Sequence, residues 1–424
     1  MPSLKSVLKK IRSQKLDGAA LQMVIVIALV ITIICSSLLL LSYYKNVRYL
    51  SFSKQERLQK NLQSAMILSL SKDFTGNDSI YTGGVFSSDT ILLKQEDWGI
   101  YQSISLILFQ GVDSIFKSYL IGRVPQKAEE VLYIADEDRP LSISGDSKIT
   151  GDAYLPKAGI RSAYVEGKYY QKDKPLIYGK QLNSDKDIPK IDDAVYKKMF
   201  DDLEDRKDKQ VKKAPDSAFR SFFLNAEVIH DQVIRINESY SGKMIFLADS
   251  LIEVASSASL NNVIICAPVV RFLSKNQSKV QVFARDSVIL EAGCQLNYPS
   301  AICLYREKAD KNQYSKIKIG NDSVFEGVIL ARGDDANYLK YLLEIGKNVG
   351  LKGMVDIDGT FNYEIPAAFE AAVHAKRIIC KLKGLLYENY IIDLKLNIQK
   401  RPISFLGSSI TDQSGQKKIL QWLN

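Results

Sequence analysis

The chain has 424 residues, more than one average domain, and its 46% hydrophobic and 25% charged residues suit a globular protein with one apolar segment added, enough to bury a sizeable core. The net charge of +9, from 57 basic against 48 acidic residues, is concentrated in two short blocks beside that apolar segment, where it meets lipid headgroups, so nucleic-acid binding is not expected. Five cysteines without a CxxC pair and only two histidines, His230 and His374, far apart in sequence, leave no basis for a metal site, a His-based triad or a bound cofactor.

Residues 1–18 form a basic leader carrying Lys5, Lys9, Lys10, Arg12 and Lys15. Residues 19–44 contain no charge, and their core at 23–41 is long enough to cross a hydrocarbon layer of about 30 Å, which predicts a single transmembrane helix with Tyr43 and Tyr44 at the headgroup level. Lys45, Arg48, Lys54, Arg57 and Lys60 follow the span, so the positive charges on its two sides balance. A short basic tail before the first apolar segment is the signal-anchor order, which predicts a cytoplasmic N-terminus and an inner-membrane protein whose C-terminal domain is periplasmic or external. The apolar run is too long for a cleaved secretory signal, and no small-residue cleavage site follows it. Residues 45–73 continue as an amphipathic helix, with Leu58, Leu62, Ala65, Met66 and Leu70 at three- and four-residue spacing among charged positions.

A basic leader ending in Gly18, an uncharged start at Ala19, a long apolar helix and an amphipathic continuation resemble the N-terminus of type IV prepilins and of type II secretion minor pseudopilins. The resemblance covers about the first 70 residues. It implies a peptidase cut between Gly18 and Ala19, after which the helix packs into a filament core. Met23 stands at the fifth mature position, where the family usually has a glutamate; minor pseudopilins at filament tips can lack that acid.

Residues 76–140 mix aromatic and aliphatic positions and read as a mixed α/β subdomain. From 141 to 400 short β-branched strings recur between turn signals, and an Asp-Ser step repeats at Asp146, Asp249, Asp286 and Asp322, the last three about 36 residues apart. Stacked short strands of this kind predict a mainly β fold, a right-handed parallel β-helix-like solenoid behind the N-terminal helix, with inward Val, Ile, Leu and Cys lying over one another. A β-sandwich or barrel also supplies many short strands, but hairpin turns of the Asn-Gly or Asp-Gly type are scarce. Cys266, Cys294, Cys303 and Cys380 sit in apolar strings and read as buried small hydrophobes. Residues 191–213, acidic first and basic last, predict a solvent-exposed helical excursion or a linker, and 401–424 a C-terminal cap ending in a turn of helix.

Asp356-Ile357-Asp358-Gly359-Thr360 resembles the nucleophile motif of haloacid-dehalogenase-type phosphatases, but too little chain follows for that domain, so a solenoid turn is expected. Asp356 and Asp358, two apart on a strand, share a face and form the candidate acidic pair of a glycan-cleaving solenoid; Asp334 and Asp335 are a second candidate. Arg332-Gly333-Asp334 matches an adhesion tripeptide and reads as an ordinary turn. Tyr169, Tyr170, Tyr298, Tyr305, Tyr314, Tyr338 and Tyr341 are candidates for an exposed aromatic face on a glycan. No catalytic constellation stands out, and the leading expectation is a non-enzymatic, membrane-anchored structural or assembly protein of a bacterial envelope, pilin-like or pseudopilin-like, whose partners are the lipid bilayer and envelope proteins or further copies of itself. A membrane-tethered glycan-binding or glycan-cleaving solenoid is the alternative. A cytoplasmic scaffold resembling bactofilins, short β-helices that polymerise end to end, is a third reading and requires the opposite topology.

Overall fold

The computed structural model describes residues 4–71, 74, 78–82, 89–111, 113–124, 130–170, 175–207, 215–306, 315–333, 341–408, 410–411 and 415–423, with side chains from Ala20 onward except those of 78–82. The chain is mainly β, with one long apolar helix at its N-terminus. It divides into two compact units. One comprises Met1–Ala65, Thr82–Thr90 and Leu108–Ile115, and the other Met66–Tyr81, Ile91–Ile107 and Phe116–Asn424.

Helix α1 runs unbroken over Leu4–Ser69, 66 residues and about 100 Å at the α-helical rise. Its first described half is bare. Thr32 and Ser37 turn their hydroxyls back to the carbonyls of Ala28 and Ile34, at 2.7 and 2.8 Å, so no polar group of these side chains needs water. Further along, Leu58, Leu62 and Ala65 are buried, the face that the sequence periodicity marks. Within the same unit the Asp89 carboxylate accepts from Asn61 at 2.6 Å and pairs with Arg57 at 3.5 Å, and Lys54 pairs with Asp113.

Strands Asp78–Thr82, Thr90–Trp98, Tyr101–Gln110 and Asp113–Val124 lie in sequence order in a five-stranded sheet. The mixed α/β character expected for 76–140 is not found among the described residues, which form strands only. Ile104, Leu106 and Leu108 lie buried on one face at the two-residue period of a strand, and Ser103 and Ser105 on the other face are buried too. The fifth strand is Gln416–Leu423, antiparallel to Asp113–Val124, where a last turn of helix was expected. Edge pairing satisfies its backbone better than a short isolated turn could.

Most of the remaining strands form parallel ladders that the chain re-enters again and again; Tyr164–Val165 with Lys168–Tyr169 and Ala367–Leu382 with Leu385–Glu388 pair antiparallel. On one face Ile229, Phe246, Ile265, Val282, Ile302, Ile329, Val355 and Val373 stand on successive rungs, and the row continues through Leu132 and Ala153 to Gln181. A second row holds Ile234, Ile252, Val270, Val288, Ile317, Leu343, Phe361 and Ile378. A third holds Leu296, Phe325, Leu351, Phe369, Leu396, Ile149 and Ile177. Nearly all of these side chains belong to one buried apolar cluster, each contributing on the order of 1.5–3 kcal/mol through its burial.

Rung order departs from chain order. Strands at 132–183 stack beyond Ala367–Leu382, so the ladder begins before residue 141 and its far end is built from an early part of the chain. Among the described residues the row ends at Gln181, which like Asn183 is polar and exposed. The spacing from Asp249 to Asp286 spans two rungs, since Leu251 pairs with Val269 and Val269 with Ser287, whereas Asp322 lies off that row in a turn, because Ser287 pairs next with Lys316. Asp249 and Asp286 lie inside long bent strands rather than in turns between strands.

The charged stretch 191–213 contains helix α2, Asp193–Glu204, whose first turn is capped by Asp192 accepting from the Val195 amide at 3.0 Å; residues beyond 207 lie outside the described residues. It is not merely solvated. Tyr196, Phe200 and Leu203 are buried on the outer side of the ladder, with the Tyr196 hydroxyl donating to the carbonyls of Leu304 and Leu330 at 3.2 and 3.1 Å. The carboxylates face water while the apolar stripe covers the outer face of the rungs, where Cys266, Phe283, Cys303 and Leu330 lie.

Candidate functional site

Two places bear on function: the bare helix and the charged rungs around Asp356. Gly18 and Ala19 lie within α1, and their side chains fall outside the described residues. From Ala20 to Ser69 the helix contains a window of mean hydropathy 3.1, none of it buried, so it is long and apolar enough to span a bilayer. Large aliphatic side chains such as Ile27, Ile31 and Leu39 are more than half exposed, which in water would be an aggregation surface and in lipid is ordinary.

Asp356 stands on the outer side of a rung, next to Leu330 on one neighbour and His374 on the other. Its Oδ1 accepts from the Arg332 guanidinium, through Nε at 2.7 Å and through Nη2, while Oδ2 lies 3.5 Å from His374 Nδ1. All three side chains are buried. Burial pushes the Asp356 carboxyl up, but the Arg332 charge and the contact with His374 outweigh it and hold the group below the usual carboxylate range. Arg332 Nη2 also donates to the Pro189 carbonyl at 2.7 Å. Below His374 on the same row comes Tyr133, whose hydroxyl donates to the Asp187 carbonyl and accepts from the Asp185 amide, both at 2.9 Å. The row therefore straps down residues 185–189, the stretch that leads from the far rungs to α2.

Asp358 is brought to the same side as Asp356 but pairs with Lys376 at 2.8 Å, and Lys376 also approaches Asp187 at 3.6 Å. The two carboxylates thus each face a cation, and Asp356 has no open path to a substrate. Chemically the arrangement neutralises and positions buried charge. Gly359, the glycine of the phosphatase-like string, is required by packing: a Cβ there would stand 2.2 Å from the Tyr341 carbonyl oxygen of the neighbouring rung.

Other sequence candidates disperse. Asp334, Asp335, Tyr314 and Tyr338 lie outside the described residues. Arg332 is buried, so it is not displayed as part of an adhesion tripeptide; Tyr305 and Tyr341 are buried, Tyr170 and Tyr298 half-buried, and only Tyr169 is exposed. Cys266, Cys294, Cys303 and Cys380 are free and buried. His230 lies 3.0 Å from Asp249 in an ion-pair position at the surface. Among the described residues no group of three His, Cys, Asp or Glu side chains could hold a metal ion. The Arg332 and His374 partnership with Asp356 was missed in the sequence because it depends on rungs 24 and 18 residues away, a spacing visible only once the register is known.

A further polar contact matters for the fold. Gln281, buried on the outer side of its rung, accepts from the Ile100 amide and donates to the Trp98 carbonyl, each at 2.8 Å, and so grips the turn between two strands of the antiparallel sheet. Gly99 at that turn has φ +62° and leaves the space that the carboxamide fills.

Comparison of the chain with protein-family models, with curated proteins and with solved structures finds no match in any of the three.

Proposed function

We propose that the chain is a membrane-anchored, non-enzymatic structural or assembly protein of a bacterial cell envelope, of the pilin-like or pseudopilin-like kind that its leader resembles. In this reading α1 is a single-pass signal anchor with its N-terminus in the cytoplasm, and the stacked strands form a right-handed parallel β-helix on the periplasmic or outer side. The observation that carries it is the continuity of α1. One helix passes without a break from a bare apolar half to a half whose Leu58, Leu62 and Ala65 are buried, so the apolar span and the packed amphipathic stretch are one continuous element. The bilayer and other envelope proteins, or further copies of the chain, are the partners this implies. The glycan-cleaving alternative draws no support from Asp356 and Asp358, whose carboxylates each face a cation.

The test is the N-terminal residue of the mature protein isolated from native membranes, read by mass spectrometry. Ala19 as the first residue supports processing by a prepilin-type peptidase. Met1 or Pro2 as the first residue overturns the pilin-like part of the proposal and leaves an ordinary signal anchor.

A further inference from the structure

Five cations follow the apolar span on α1, and they fall into two groups. Lys54 pairs with Asp113, Arg57 with Asp89 at 3.5 Å, and Lys60 with Glu56 at 2.7 Å. Lys45 and Arg48, the two nearest the span, are exposed and face no acid among the described residues. The chain has no acid at all between Asp17 and Glu56, so nothing on the helix itself neutralises them. An unpaired, solvated cation is ordinary on a polar surface, but the surface here is not polar.

Tyr43, Tyr44, Val47, Tyr49, Leu50 and Phe52 are each between 46% and 70% exposed, and the first buried side chain after them is Leu58. At 3.6 residues per turn these six leave no side of the helix without an apolar group. A packed protein partner covers one stripe of a helix, whereas a bare helix that is apolar all round belongs in lipid. The second copy of the chain that a single-stripe contact would imply is therefore disfavoured over this stretch. Lys45 and Arg48 stand about 6 and 10 Å beyond Leu41 along the axis, and their long side chains reach a headgroup layer about 5–8 Å thick. They lie three residues apart and so are neighbours on one side of the helix. There the Arg48 guanidinium can grip two phosphate oxygens while Lys45 adds a point charge.

We propose that residues 43–50 form a collar around α1 that binds anionic phospholipid, with Lys45 and Arg48 on the headgroup phosphate and the tyrosines at the acyl boundary. Two cations with no compensating acid favour a lipid of net negative charge over a zwitterionic one, whose own ammonium group they repel. The Lys54–Asp113 pair marks the outer limit of the collar, where acids of the chain take over as partners. This inference rests on the membrane-anchored reading above and names the lipid that the anchor selects.

The experiment places a photo-crosslinking phenylalanine analogue at position 44, one turn before Arg48 on the same side. The full-length protein is reconstituted in bilayers of equal phosphatidylglycerol and phosphatidylcholine, irradiated, and its adducts identified by mass spectrometry. Phosphatidylglycerol adducts are expected to exceed phosphatidylcholine adducts about fivefold or more, the effect of one or more cations at the surface. Lys45→Gln combined with Arg48→Gln should bring the two nearly level, whereas Lys54→Gln, which removes a cation already paired within the chain, should leave the preference unchanged. A protein that alkaline carbonate strips from the bilayer overturns the anchor and the collar together. A protein that stays anchored but crosslinks both lipids equally, crosslinks a second copy of the chain, or keeps its preference in the double variant overturns the collar alone.

Discussion

Replacing Gln281 by leucine keeps the bulk of the side chain and removes both of its bonds to the turn at Gly99. The Ile100 amide and the Trp98 carbonyl, each now held at 2.8 Å, are then left in a buried site without that partner. Losing the two buried bonds, at about 1–3 kcal/mol each, is expected to cost about 2–6 kcal/mol, a large share of a typical folding stability of about 5–15 kcal/mol. Gln281→Glu isolates half of the effect, because a carboxylate still accepts from the Ile100 amide but repels the Trp98 carbonyl. Urea unfolding of the detergent-solubilised protein measures the total, and Trp98 reports locally, since its ring packs edge-on against Phe222 at 5.3 Å and its indole N–H donates to the Asn262 carbonyl. A change below about 0.5 kcal/mol for Gln281→Leu, with unchanged Trp98 emission, would refute the assignment of this side chain as the clamp.

Asp356→Ala strands the Arg332 guanidinium in a buried site and is expected to cost about 3–5 kcal/mol in the same unfolding assay. Because the folded Asp356 carboxyl is held below its unfolded value of about 3.9, its contribution is complete above that pH and is lost as the pH falls through the folded value; Asp356→Asn should flatten this acid limb of the stability profile, and an identical limb in both proteins would count against it. Burial pushes the Cys266 thiol up to about 12, so maleimide should label it only after denaturation, and rapid labelling of the folded protein at neutral pH would show the rung to be open. Ile31→Arg adds about 2.5–3.5 kcal/mol to insertion of the apolar helix and should shift the protein toward the alkaline-carbonate supernatant, whereas unchanged pelleting would argue that α1 is not the anchor.

The sequence by itself determined what repeats locally. The uncharged stretch behind Gly18, the three-and-four spacing of Leu58, Leu62 and Ala65, and the β-branched strings of the later chain each encode an element through a period that neighbouring residues carry alone. It also marked Cys266, Cys303 and Cys380 through their apolar strings, whereas Cys294 is buried from the turn Glu291-Ala292-Gly293-Cys294-Gln295. Tertiary structure alone decided the rest. Whether 101–110 was helix or strand depended on which face found a partner, and the end of the chain became a strand because an open sheet edge lay waiting for it. Asp356 looked like an exposed acid and is a buried, doubly contacted one, since Arg332 and His374 arrive from other rungs. The stacking of Leu132 on Val373 joins residues more than half the chain apart, and no local period reports such a contact, because register between distant strands is fixed by the burial of whole faces rather than by any residue's neighbours in sequence.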